Sequence, residues 1–239
     1  EIFWENMDAP HWKTLVGGSF SLQDNYNQPG TGVVPVIPNF ASVGYGAFAI
    51  EKYHKDNWNA EVGLRYDYKY LSADGYDMYS QRYGGEHDFH NITYSLGGAW
   101  QATPHTALSS NIGVAWRAPQ VNELYSSGLH HGAGTYNLGE ASLSPETGAK
   151  WITSLSYTHP ERGIYLTADA YIQLIKNYIY DYPTGETRTL FSGVYPIFRY
   201  TKADAFFRGV DIDASLRLAQ WGAFAQRLSY GLRGSVVFA

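Results

Sequence analysis

The chain has no cysteine, only two methionines and few charges: Asp, Glu, Lys and Arg make up 16% of its 239 residues. Without cysteine a disulfide scaffold is excluded, so stability must come from packing or from closure of a hydrogen-bonded sheet. A basic surplus is also missing, because 22 acidic and 17 basic residues leave a net charge of −5. That excludes nucleic acid as a partner. Disorder requires much charge and few aromatics, whereas aromatics are 16% of this chain. A coiled coil or helical bundle would be rich in Ala, Glu, Lys and Leu, but here 25 glycines and 21 tyrosines stand out.

Long hydrophobic runs are absent too. Residues 25–50 carry no charge, yet Pro29, Pro35, Pro38 and four glycines exclude a regular spanning helix. A membrane β-strand alternates apolar and polar residues, so its mean hydropathy stays modest and this absence does not bear on it. Glu1 is followed by no charged-then-apolar leader, so the expectation is a removed signal peptide or a chain that begins internally. Length allows one or two domains, or a piece of something larger.

What the sequence does have is period-two alternation over most of its length. Trp58, Ala60, Val62, Leu64, Tyr66, Tyr68 and Tyr70 fall on one face, and Asn59, Glu61, Gly63, Arg65, Asp67 and Lys69 on the other. Successive side chains of a strand point to opposite faces, so this is a strand with one oily and one wet side. The same split recurs from Trp12, Ile92, Leu108 (through Trp116), Ile164, Val210 and Leu228, while 40–53 and 147–158 alternate less cleanly but still read best as strands. This predicts about nine strands in up-and-down order.

The connections alternate between short and long. Residues 55–57, 103–105, 159–163 and 219–222 are short and turn-forming, and 25–39, 72–89, 118–146 and 181–192 are long. A soluble β-sandwich has no reason for such asymmetry, whereas an outer-membrane barrel has short periplasmic turns and long external loops. Aromatics at strand ends, among them Trp12, Trp58, Trp100, Trp151, Tyr178 and Tyr180, suit interfacial girdles. The clean apolar faces carry no charge. Lys13, Glu61, Arg65, Asp67, Lys69, Arg117, Asp169, Asp211, Asp213, Arg217, Arg227 and Arg233 would point inward, which suits a wide lumen holding water or a plug. Single-chain bacterial barrels have an even strand number. At about 27 residues per strand, a 22-stranded barrel needs roughly 580 residues. The fold expected is therefore all-β, a transmembrane antiparallel up-and-down β-barrel, of which this chain is about nine strands.

One segment carries a family resemblance. Trp116-Arg117-Ala118-Pro119, then Asn122-Glu123-Leu124-Tyr125, then Leu143-Ser144-Pro145-Glu146-Thr147 resembles, in order and spacing, the barrel signature of TonB-dependent outer-membrane receptors. The Phe207-Arg208-Gly209-Val210-Asp211 core of 200–213 resembles a later strand motif of the same family. The resemblance implies an energy-coupled uptake receptor of the Gram-negative outer membrane, with a plug domain on which TonB pulls. It implies as partners the membrane lipids, the TonB complex acting through that plug, and a surface lipoprotein. No plug, energy-coupling box or barrel-closing end is found in 1–239, so these are expected outside the chain. Within the motif Pro119, lacking an N–H, ends ladder pairing. Arg117 would bind a carboxylate of Glu123 or Glu146 through its fork, chiefly to organise the loop.

Ligand candidates lie in the long loops. Of eight histidines, His87 and His90 flank Asp88 at the end of one loop, and His130-His131 precede Gly132 in the next. Imidazole and carboxylate ligate zinc or other transition metals, and histidine ligates haem iron. The His130-His131 pair would be the metal site, completed by His87 and Asp88 if the loops meet, and Tyr125 is one of the external-loop tyrosines, with Tyr79 and Tyr136, that can stack against a siderophore, sugar or porphyrin. Gly128 to Gly132 also resembles receptors for zinc or haem. No resident cofactor is implied; zinc, an iron chelate or haem would be cargo. His11, His54, His105 and His159 read as solvated turn residues. No nucleophile–base pair or phosphate-cradling loop is present, so the chain reads as a non-enzyme. The alternatives are a non-gated porin or structural or adhesive barrel, and a soluble carbohydrate-binding β-protein.

Overall fold

The computed structural model describes residues 2–6, 10–32, 34–221 and 226–239. Its strands are β1 (Ile2–Asn6), β2 (Trp12–Asn25), β3 (Asn39–Lys55), β4 (Trp58–Tyr76), β5 (Arg82–Thr103), β6 (Thr106–Arg117), β7 (Ser127–His130), β8 (Thr135–Leu138), β9 (Glu146–His159), β10 (Ile164–Leu190), β11 (Gly193–Trp221) and β12 (Gln226–Phe238). One short helix, α1 (Val121–Tyr125), precedes β7. All belong to a single 12-stranded sheet in the order β1-β2-β3-β4-β5-β6-β9-β10-β11, with β12 against β11 and the β7–β8 hairpin reached through β8. The long strands are those the alternation predicts. The sequence reading missed β1, too short to show a period, and β7 and β8, which lie inside the segment read as a loop.

Two expected loops are mostly strand. β4 pairs with β5 without a break from Trp58↔Trp100 to Tyr76↔Arg82, so 72–89 narrows to a turn at 77–81. β10 and β11 pair out to Leu190↔Gly193, so 181–192 narrows likewise. Beyond the membrane both faces of a ribbon meet water, so the polar residues that look like loop there leave the ladder intact. The turn expected at 219–222 is displaced: β11 continues through Trp221, and 222–225 lie outside the described residues, as does the Arg227 side chain.

The outer face is apolar and open. Phe20 is 69% exposed, Leu64 57%, Ile92 58% and Leu232 59%. A continuous apolar surface on this scale has to be covered, and on a closing sheet the cover is lipid. The inner face carries the ions as pairs: Lys13–Glu5, Lys52–Glu61 (2.7 Å), Arg65–Asp67 (2.5 Å) and Arg233–Asp213 (2.5 Å). The less clean strand at 40–53 is now explained. Phe48 lies under the Arg65 guanidinium, 5.8 Å from ring centre to Cζ, on the lumen side. Glu51 pairs across from Val62 and accepts from Thr14 Oγ1 at 2.7 Å on the outer face. Trp116 departs from its expected lipid-facing place. β5–β6 pairing ends at Tyr94↔Val114, and beyond it the Trp116 indole N–H reaches Asp67 Oδ2 at 3.3 Å.

The wall also has a notch. β6 and β9 stop together at Arg117↔Glu146, while β5 and β10 run on. The gap left between β5 and β10 is roughly 14 Å, three strand spacings. The chain from Ala118 to Pro145 fills it as a strap. Its apolar residues Val121, Leu124, Tyr125 and Leu143 pack against Leu71, Ala73 and Ile179, and these form the buried core. That core sits on the lumen side, at the external end.

Candidate functional site

The strap begins where Pro119, fully buried, follows the last residues of β6. Arg117 then grips two carboxylates. Its Nε donates to Glu146 Oε2 at 2.7 Å, and its Nη1 donates to Glu123 at 2.9 and 2.7 Å. Each carboxylate also accepts a backbone N–H: Glu123 from Gln120 (2.7 Å) and Glu146 from Ile179 (2.5 Å). One guanidinium therefore ties the end of β6 to α1, to β9 and, through Glu146, to β10. The carboxylate side chains are 10% and 13% exposed and Arg117 is 35% exposed.

The rest of the motif closes the strap. Asn122 Nδ2 donates to Tyr200 OH at 3.1 Å, and Pro145 O accepts from Asn177 Nδ2 at 3.2 Å. Backbone bonds join Glu140 N to Glu123 O (2.8 Å), Gly139 N to Ser126 O (2.7 Å) and Ser127 N to Val36 O (2.8 Å). At Gly139 a Cβ would lie 2.5 Å from the carbonyl carbon of Leu124 and the nitrogen of Tyr125, so only glycine lets the returning chain touch α1. β8 then pairs in parallel with β11 at Ile197 to Arg199, covering the edge of a long strand.

Above the clasp, Tyr125 OH lies 2.6 Å from His87 Nε2, and the imidazole stacks on Phe89 at 5.5 Å. Burial raises the Tyr125 phenol and pushes Tyr83 up to about 12, so both stay protonated and Tyr125 is the donor to a neutral imidazole. Burial holds the His87 pKa below its ordinary value. A histidine depressed in the folded state binds its proton more readily when the strap is released. Strap stability is therefore full above the ordinary histidine pKa of about 6.5 and declines as pH falls from there toward the folded value. Protection factors of the 121–126 amides, which divide out the intrinsic pH dependence of exchange, are expected to be lower at pH 5 than at pH 7.5, and His87→Gln to remove most of that difference. Equal protection factors at both pH values would rule out His87 as its source.

The structure separates the other candidates. Asp88 and His90 alternate with His87, so they stand on the outer face, where Asp88 accepts from Tyr68 OH. His130 and His131 are exposed at the tip of the β7–β8 hairpin, where His130 Nδ1 accepts from Ala133 N at 3.1 Å. Among the described residues no group of three His, Asp or Glu is arranged to hold a metal ion. The expectation that Asp88 joins His87 at one centre is thereby corrected, because neighbours in a strand point apart. A cluster at the external mouth joins two of the loop tyrosines, Tyr79 and Tyr136, to Arg188 and Met78, which the sequence alone does not bring to them. The Arg188 guanidinium sits 5.5 Å over Tyr79 and 5.4 Å over Tyr136, whose hydroxyl reaches Met78 Sδ at 3.6 Å. These residues come from three separate segments, and no local pattern announces them.

The order of the clasp motif, its closed strap and the lipid-facing sheet meet in one known architecture. Residues 3–237 match the family described as TonB dependent receptor-like, beta-barrel. The chain belongs to that TonB-dependent receptor β-barrel family. The family consists of outer-membrane barrels of Gram-negative bacteria that act as transporters. The hemophore receptor HasR of Serratia marcescens, solved with its hemophore HasA and heme, matches with a TM-score of 0.70 and 17% identity, over 89% of this chain and 38% of HasR. The copper transporter OprC matches at 0.69 with 15% identity, over 96% of this chain and 36% of OprC. The ferric yersiniabactin uptake receptor FyuA of Yersinia pestis matches at 0.60 with 15% identity, over 97% of this chain and 33% of FyuA. At such identities the likeness is one of fold. The chain spans about a third of the length of these receptors.

Proposed function

We propose that this segment is part of the β-barrel domain of an active uptake receptor in the outer membrane of a Gram-negative bacterium. Its plug domain lies elsewhere in the full protein, and TonB drives transport through that plug. The cargo is a scarce metal ion, a metal chelate such as a siderophore, or haem. The observation that carries the reading is the strap: a passive pore has no need for a wall notch filled from the lumen side by a segment locked through Arg117, Glu123 and Glu146. A captured ligand does need such a fixed frame between the external mouth and the lumen. Family neighbours named for heme, copper and ferric yersiniabactin support the cargo class.

His130 and His131 stand where an arriving ligand meets the hairpin tip, and Nε2 of His130 faces away from the bond that holds its Nδ1. Calorimetry on the intact receptor is expected to detect zinc or haem, with affinity at least fivefold weaker in the His130→Ala, His131→Ala double variant. Unchanged affinity removes these residues from the site. Uptake by whole cells should stop when TonB is deleted. Uptake that persists would leave a non-gated barrel as the correct reading.

A further inference from the structure

Two histidines meet across a strand pair at the end of the sheet that carries the short turns, far from the strap and the mouth. One step beyond the last ladder pair of β2 and β3, Trp12↔Tyr53, His54 N donates to His11 O at 2.8 Å. Residues opposed in this way have Cβ atoms about 5 Å apart. Both imidazoles are exposed, as expected of turn residues, but each is tied at one ring nitrogen. His11 Nδ1 lies 3.1 Å from the His54 carbonyl oxygen, and His54 Nδ1 bonds Asn59 Oδ1. Carbonyl oxygens only accept, so Nδ1 is the protonated nitrogen in both rings and Nε2 carries the lone pair in both. A histidine that ligates a metal through one nitrogen gives its other N–H to such an acceptor, which fixes the tautomer and aims the ring.

The surroundings admit a cation. The two rings border a recess of about 600 Å³ that Lys13, Lys52, Asn59 and Glu61 also line, and that extends from β2 across to β6, away from the edge strand β1. Lys13 is paired with Glu5, and Lys52 with Glu61 at 2.7 Å, so the charge of both lysines is offset. The other two histidines of this rim do not offer the same donors. His105 and His159 stack with ring centres 4.2 Å apart and planes 9° from parallel, so one ion cannot lie in both ring planes. His159 Nδ1 also accepts the Arg162 N–H at 3.4 Å, which leaves the proton of the neutral ring on Nε2.

We propose that His11 and His54 bind one divalent transition-metal ion through their two Nε2 atoms, with water in the remaining positions. Imidazole suits copper, nickel and zinc, and a given nitrogen site binds copper most tightly. At this end of the lumen the ion is held on its way out to the periplasm, a role that rests on the uptake reading above; the binding itself does not. The test is electron paramagnetic resonance of the intact receptor in detergent, titrated with Cu²⁺ alone. The parent protein carries His130→Ala and His131→Ala, which removes the imidazoles of the hairpin tip from the spectrum. It should show a copper signal split by two ring nitrogens. His11→Asn and His54→Asn keep a donor at the Nδ position and remove Nε2. Each should abolish the two-nitrogen pattern and weaken copper binding roughly tenfold or more. His159→Ala should alter neither. A two-nitrogen pattern that survives in either Asn variant, unchanged affinity in both, or loss of the pattern in His159→Ala overturns the assignment. Gel migration that changes on heating monitors folding in every variant. Uptake that persists in cells without TonB, with copper still held by both histidines in the purified protein, would remove the exit role and leave the site.

Discussion

Ile112→Arg is expected to block assembly of the barrel in the membrane, while Asn111→Arg, one residue away, leaves it folded. Ile112 is 43% exposed and lies between Leu96 and Trp151 on the outer face. Asn111 faces the lumen, where its side-chain nitrogen would lie 2.6 Å from a Cβ added at Gly97. An arginine on the lipid face near the midplane costs about 2–4 kcal/mol, and in the lumen it meets water and opposite charge. Such a cost removes a large part of the 5–15 kcal/mol that typically holds a native protein together. Heat-modifiable migration of the two variants, refolded into detergent or lipid, reads the difference. Equal folded fractions would mean that this face does not meet lipid.

Arg117→Leu is expected to free the strap without dismantling the long strands. The substitution leaves Glu123 and Glu146, with side chains 10% and 13% exposed, without the guanidinium that grips both, and only the more distant Lys69 still acts on Glu123. Removing one partner of a buried ion pair costs about 3–5 kcal/mol, and the 35% exposure of Arg117 argues for the lower end of that range. Replacing all three residues by apolar ones does not restore stability, because the N–H groups of Gln120 and Ile179 then lose their acceptors. Limited proteolysis should cut within 118–145 at least tenfold faster in the variant. Arg82→Leu is the contrast. Its pair with Asp74 is 71% and 56% exposed, so its loss should leave the cleavage rate unchanged. A strap equally protected in Arg117→Leu would show that the core around Leu124 holds it alone.

The candidate site was legible only in part. Arg117 could be paired with Glu123 and Glu146 in advance because a family motif brings the three into one segment. That the guanidinium holds both at once, and that Ile179 joins through its backbone, depends on β9 and β10 meeting the strap. The histidines show the limit from the other side. His87, Asp88 and His90 look like one cluster in a loop, but the strand continues through them and period two sends His87 to Tyr125 and the other two outward. The loop reading failed because strand pairing above the membrane is held by backbone hydrogen bonds, which place little demand on side-chain pattern.

What the sequence determined by itself is the sidedness of the sheet. Alternation of apolar and polar residues forces one face to lipid and the other to the lumen, because shifting one residue would bury charge in hydrocarbon. It also determined three of the four short turns, at 55–57, 103–105 and 159–163, and hence which end of those strands carries the short connections. The tertiary structure alone decided where the buried core is. Leu71, Ala73 and Ile179 lie on the inner face, where nothing local distinguishes them from residues left in water. They are buried because β6 and β9 end early and the strap returns over them. Burial of that kind depends on which distant segments arrive, and contacts between distant segments leave no period in the chain.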